Sequence, residues 1–186
     1  MTSASATSGF ERLGEREIYQ GHVVGLSIGT FRAPDGTTFE RDIVHHPGAV
    51  AVVPVDADGQ VVMVRQYRAP IDQDLLEIPA GLRDVPGEDA EVTAARELAE
   101  ETGLAADRFD WLCEFHNSAG CSDETIVIYL ATGLTDAALD RQGIEELHMT
   151  IERLDLDALD DLVASGELTD AKSIIGLSLA RRRLGG

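Results

Sequence analysis

Residues 81–104, GLRDVPGEDAEVTAARELAEETGL, restrict the fold more than any other part of this sequence. Pro86 and Gly87 interrupt the chain, and from Asp89 the period turns helical, with Val92, Ala95, Leu98 and Ala99 on one face. Gly103 stands where helices end in a left-handed residue. The spacing predicts a helix over residues 89–102 that must lay its apolar face on another layer. Its other face is acidic. Glu97 and Glu101 are four residues apart and Glu97 and Glu100 three apart, so their carboxylates stack. Like charges at that spacing destabilise a bare helix, and Arg96 is the only cation between Asp89 and Thr102. Carboxylates gathered in this way suit a hard divalent cation, which takes oxygen ligands and shares them with substrate phosphates. Taken alone, the run could also be a solvated face of an acidic chain.

Around this helix the sequence reads largely as hairpins. Residues 15–31 alternate loosely, Pro34-Asp35-Gly36-Thr37 is a turn, and residues 38–46 return as a strand. The β-branched runs 50–55 and 61–67, joined by Asp56-Ala57-Asp58-Gly59, read as a second hairpin. A short strand over 75–78 stops at Pro79. Residues 111–115 and 125–132 read as strands around a Gly/Ser loop, and 148–154 as a last strand. Two helices, 156–163 and 171–184, close the chain, with Asp170 as an N-cap. Hairpins mixed with helices predict an α+β fold, a mixed sheet with helices packed on it, and not a doubly wound parallel sheet.

Composition narrows the function. A formal charge of 15 − 34 = −19 leaves no basic face for a phosphate backbone, so no nucleic-acid partner is expected. An anionic small substrate would need a cation or placed arginines to approach. Two cysteines, Cys113 and Cys121, make no disulfide framework. Residues 1–9 carry no apolar core and read as a mobile tail, not a secretory signal. No stretch is apolar enough for a membrane span. A cytoplasmic location is expected. Adjacent strand residues face opposite ways, so His45 and His46 cannot easily chelate one ion. The basic run Arg181-Arg182-Arg183 suits the end of a helix.

The segment also resembles the signature of the Nudix hydrolase superfamily: Gly81, six residues, Glu88, seven residues, Arg96-Glu97-Leu98, one residue, Glu100-Glu101, one residue, Gly103-Leu104. The family pattern has five residues after its first glycine. The extra one lies near Val85-Pro86-Gly87 and leaves the register of Arg96, Glu97, Glu100 and Glu101 intact. The resemblance extends past the box to the ADP-ribose pyrophosphatase branch. It implies an α/β/α sandwich with a mixed sheet over residues 47–186, preceded over 10–46 by an antiparallel arm that pairs two copies into a homodimer. It further implies magnesium, or manganese, held by Glu97, Glu100, Glu101 and the carbonyl of Ala80. Arg41, Arg68, Gly120 and Glu124 become substrate-binding candidates, and Glu146, on a loop over 142–146, the catalytic carboxylate. Glu145 beside it leaves that choice open by one residue. Glu88 is expected to hold the loop and Arg96. The implied reaction is magnesium-dependent hydrolysis of a nucleoside diphosphate sugar, ADP-ribose first, to AMP and ribose 5-phosphate. Another nucleoside diphosphate sugar or a nucleoside triphosphate is the alternative. A silent ADP-ribose sensor is disfavoured because every box carboxylate is present.

Overall fold

The computed structural model describes residues 8–141 and 144–185, so residues 1–7 of the expected tail and residues 142–143 of the expected Glu146 loop lie outside it. The chain divides into two units, Met1–Pro47 with Ser118–Glu124, and Gly48–Asn117 with Thr125–Gly186.

The first unit is an antiparallel sheet of β1 (Glu11–Gln20), β2 (Gly25–Arg32) and β3 (Thr38–His45), in that order. The loose alternation over 15–31 conceals a break. Gly21 donates its N–H to the Val24 carbonyl at 2.9 Å, and the stretch becomes two strands. β2 buries Gly25, Ser27 and Gly29 at alternate positions, while β1 is exposed along all 10 residues. The rings of Phe10, Phe31 and Phe39 pack together at one end.

The second unit contains two further sheets. One has the order β10-β5-β6, all antiparallel, formed by β5 (Gln60–Arg68), β6 (Gln73–Glu77) and β10 (Thr150–Asp155). The other has the order β7-β4-β9-β8, formed by β4 (Ala49–Pro54), β7 (Ala80–Leu82), β8 (Leu104–His116) and β9 (Thr125–Asp136). It is mixed: β4 runs parallel to β9, and the other pairs are antiparallel.

The expected hairpin of 50–55 with 61–67 is therefore incorrect. β4 and β5 stay linked at their turn by one isolated bridge, Val55 to Val61, and then enter different sheets. The reason is burial on both faces. Val50 and Val52 face one core, and Ala51, Val53 and Val55 the other. A strand covered on both sides reads as a continuous apolar run, whatever its neighbour.

Helix α1 (Ala90–Thr102) lies on one face of the mixed sheet, where Ala94 and Leu98 meet Val50, Val52, Val127 and Tyr129. On the other face α4 (Ala171–Gly185) packs Leu177 and Ala180 against Val53, Ile128 and Leu130. Gly176 allows this approach: a Cβ there would lie 3.0 Å from both Ile78 Cδ1 and Val53 Cγ2. Between β9 and α4 come α2 (Ile144–Leu147), where a loop was expected, and α3 (Leu159–Ser165). The layering is α/β/α with a mixed sheet, as the resemblance implies. No described helix is long and apolar enough to cross a membrane.

Candidate active site

Helix α1 starts with the Asp89 side chain accepting the Glu91 N–H at 2.9 Å and stops at Gly103, whose φ is 68°. Its buried positions are Thr93, Ala94, Leu98, Glu101 and Thr102, whereas Val92 is 57% exposed. The expected apolar face is thus displaced by a fraction of a turn. The displacement carries a carboxylate, Glu101, into the interior, where hydrophobic periodicity alone would not place one.

Two approaches hold the carboxylates. The Ala80 N–H donates to Glu101 Oε2 at 3.0 Å. A Cβ added to Gly81 would fall inside the carboxylate of Glu97, so a side chain here would displace that carboxylate from its present place. Arg96 is no bystander. Its Nη1 donates to Glu97 Oε1 at 2.7 Å and to Glu100 Oε2 at 3.1 Å, and its Nη2 to Glu88 Oε2 at 3.2 Å. Glu88 also accepts from the Thr93 hydroxyl, so it braces Arg96 and the helix entrance as expected.

Charge compensation is nonetheless incomplete. Burial pushes Glu97 up to about 7, against Arg96 beside it, with Glu100 and Glu146 adding repulsion. Burial, with repulsion from Glu97 and Glu146, pushes Glu101 up to about 8 against the Ala80 N–H and Arg68. Among the described residues no three His, Cys, Asp or Glu side chains surround one point, and Arg96 and the Ala80 N–H engage the box carboxylates. The donor set still fits a hard divalent cation. It consists of neighbouring carboxylates, half-buried Glu97 and buried Glu101 both with protonation favoured, beside a glycine that leaves them room.

Arg68 leaves the end of β5 and forms a two-pronged pair with Glu77, Nε to Oε1 at 2.7 Å and Nη2 to Oε2 at 2.6 Å. Glu77 is 1% exposed and also pairs with Lys172, which contacts Asp170 at 3.0 Å. Burial alone would raise Glu77, but Arg68 and Lys172 hold it below the ordinary carboxylate range. Asp170 accepts the Ser173 N–H and caps α4 as expected. The Ser173 hydroxyl accepts the Ile78 N–H at 2.8 Å, two residues before Ala80. Sequence reasoning missed this network. Its signals were a glutamate inside the apolar run Leu75-Leu76-Glu77-Ile78 and Lys172 as the only lysine in the chain.

Glu146 lies on α2, half-buried, and its charge acts on both Glu97 and Glu101. Glu145 is exposed and acts instead on Tyr67. The second unit therefore brings together Ala80, Glu97, Glu100, Glu101 and Glu146, with Arg68 held by Glu77.

Arg41, Gly120 and Glu124 belong to the first unit. Arg41 is exposed on β3, its guanidinium 4.7 Å from the centre of the Phe39 ring and donating to the Glu40 carbonyl. Gly120 lies in a turn where Cys121 and Ser122 both donate to the Ser118 carbonyl. The loop then continues along β3 through Val44 and Ser122. His46 faces Glu124 at 3.5 Å, while His45 contacts Glu15, Ser27 and Asp123. Asp123 serves both histidines, since its other oxygen accepts the His46 N–H at 2.9 Å.

A NUDIX domain model matches residues 45–173. The chain is 39% identical to a methanol dehydrogenase activator of Bacillus methanolicus, over 87% of this chain and 86% of that protein. It is 37% identical to an ADP-ribose pyrophosphatase of Bacillus subtilis, again over 87% and 86%. With an ADP-ribose pyrophosphatase of Mycobacterium tuberculosis it shares 38% identity, over 90% of this chain and 81% of the other. In three dimensions it superposes on the crystal structure of an ADP compounds hydrolase with a TM-score of 0.83, over 95% of each chain at 22% identity.

Proposed function

The chain belongs to the NUDIX-domain family, and from that premise we propose that it is a magnesium-dependent pyrophosphohydrolase that splits ADP-ribose into AMP and ribose 5-phosphate. The observation that carries the reading is a pair of proton-favouring carboxylates, half-buried Glu97 and buried Glu101, packed beside Gly81 and Ala80 and faced by Glu146. Two of the relatives are named for this activity.

In this reading Glu97 and Glu101 are the main ligands, with Glu100 assisting and the Ala80 carbonyl completing the set. A magnesium ion held there would offset charge on the diphosphate and lower the pKa of a nearby water. Glu146 orients the attacking water and accepts its proton as it attacks one phosphorus. The bond from that phosphorus to the bridging oxygen breaks, and the second phosphate leaves. Arg68, already oriented by Glu77, and Arg41 grip the phosphate oxygens, which a guanidinium fork matches. Gly120 and Glu124 contribute from the loop 118–124. Cation and arginines together admit an anionic substrate to a chain of charge −19.

A second copy pairs through the sheet β1–β3 to form a homodimer. The support is β1, exposed along its length with Leu13, Ile18 and Tyr19 among its outward residues. The deciding experiment is a screen of ADP-ribose, other nucleoside diphosphate sugars and nucleoside triphosphates, each with magnesium and with excess chelator. ADP-ribose should give the highest kcat/KM, and chelator should abolish it. Undiminished hydrolysis in chelator would refute the metal assignment. A nucleoside triphosphate turned over best would refute the substrate assignment.

A further inference from the structure

An α-helix leaves the carbonyls of its last turn without intrahelical donors, and a cation placed there is favoured by the helix dipole. Helix α1 has no basic residue in its own last turn. The donor comes from 40 residues further along the chain. Arg141 gives Nε and Nη2 to the carbonyl of Glu101, at 3.3 and 3.1 Å. Its remaining prong, Nη1, donates to the carbonyl of Met149 at 2.7 Å.

The second contact gives the first its significance. Residue 141 begins, and residue 149 ends, the segment that carries Glu146 on α2. Met149 is 4% exposed and anchors the far end in the interior. Its N–H donates to the Glu146 carbonyl at 3.1 Å, and the His148 N–H to that of Glu145 at 3.2 Å. One side chain therefore ties both ends of the segment to each other and to the main chain of Glu101, the most buried carboxylate of the box.

We infer that Arg141 is a positioning residue: its fork clamps the Glu146 segment to the end of α1, so that the carboxylate proposed as base and the carboxylates proposed as metal ligands keep a fixed spacing. The inference deepens the proposed function and rests on it for the role of Glu146. It does not rest on it for the clamp. A planar guanidinium suits the task because three N–H groups in one plane reach two separate carbonyls, which an ammonium cannot reproduce. The contacts are to main chain, so neither partner can be lost by substitution along α2.

The test uses the full-length protein with magnesium and ADP-ribose. In Arg141→Met, amide hydrogen exchange should accelerate in peptides spanning residues 140–150 and remain unchanged elsewhere. The kcat should fall about 100-fold, the scale of an ångström misplacement of a reacting group. The KM and the half-saturating magnesium concentration should move less than about threefold, because binding groups stay in place. In a Glu146→Gln background the same substitution should cost less than about twofold, since the group it positions is already disabled. Unchanged exchange over 140–150 would overturn the clamp. A full, additive loss in the Glu146→Gln background would overturn positioning through Glu146. Full activity of Glu146→Gln itself would overturn the assignment of the base and leave the clamp to be judged by exchange alone. Should Arg141→Met not fold, Arg141→Lys, which keeps the charge at the end of α1 and loses the fork, carries the same comparisons.

Discussion

Replacing Gly81 by alanine separates the catalytic demand on this position from its structural one. β7 pairs Gly81 with Val50 in a regular ladder, and Gly81 is not among the residues of positive φ, so alanine is compatible with the backbone. The nearest obstacle is the Glu97 carboxylate, which occupies the volume of the new methyl group. That carboxylate ends a flexible side chain and will swing aside. Swinging costs its 2.7 Å bond to Arg96, a charge-assisted contact of about 1.5–3 kcal/mol when fully formed. An off-rotamer side chain adds about 0.5–1.5 kcal/mol. Arg96 keeps Glu88 and Glu100 and is partly solvated, which discounts the first figure, so the net loss should be about 1–3 kcal/mol. For a domain of this size that lowers Tm by about 3–10 °C. Activity should suffer far more, because displacing a ligand should cost at least the 10–100-fold in metal affinity seen when outer supports of a site are removed. Calorimetry and magnesium titrations of kcat/KM measure the two effects. In a Glu97→Gln background, Gly81→Ala should add little to the loss of activity. Wild-type activity at limiting magnesium, or a full further loss in that background, would refute the argument.

Protons should compete with the cation: with Glu97 at about 7 and Glu101 at about 8, activity at limiting magnesium should rise from pH 6 to 9, and saturating magnesium should shift that rise to lower pH. Both values stand above 4.5, so the folded metal-free protein retains these protons where the unfolded chain releases them; its stability should fall as pH rises from about 4.5 to 8, and magnesium should cancel the fall in thermal melts. Glu77 has the opposite sign, giving stability above its ordinary value that is lost as pH drops through its lowered one; Lys172→Met should remove about 3 kcal/mol by denaturant unfolding, and an unchanged midpoint would contradict a buried charge network. Glu146→Gln should depress kcat strongly with KM little changed, and Glu145→Gln should cost less than a few-fold; the reverse order in steady-state kinetics would move the base by one residue. Sedimentation at micromolar concentration should give a dimer, and a fully active monomer would exclude composite sites.

The box was legible because its constraints are local. Helix period, terminal glycine and carboxylate spacing all lie within one segment, and α1 formed where they place it. Pairing was legible only where a turn determines it. The turn at 34–37 correctly joined β2 to β3, whereas β4 and β5 parted, because β4 is buried on both faces and its partner β9 lies over 70 residues away. The face of α1 was misjudged by Val92, a valine left exposed while Glu101 was buried. Glu77 and Lys172 were overlooked because their meaning depends on a contact across 95 residues.

Those two buried acids, Glu77 and Glu101, show how the protein divides its interior charge. Both are almost inaccessible, 1% and 3% exposed, and burial alone raises the pKa of each. Around Glu77 the chain supplies two cations, Arg68 and Lys172, and the carboxylate is held ionised. Around Glu101 it supplies one backbone N–H, the more distant charge of Arg68 and two more carboxylates, Glu97 and Glu146, and with burial the balance tips toward protonation. Arg96 stands one residue from Glu97 and pairs with Glu88, Glu97 and Glu100. A purely structural design would neutralise both acids or bury neither. Completing one set from within while the other keeps an excess of negative charge is what an exchangeable divalent cation requires. The finished pair at Glu77 meanwhile presents Arg68 in a fixed orientation.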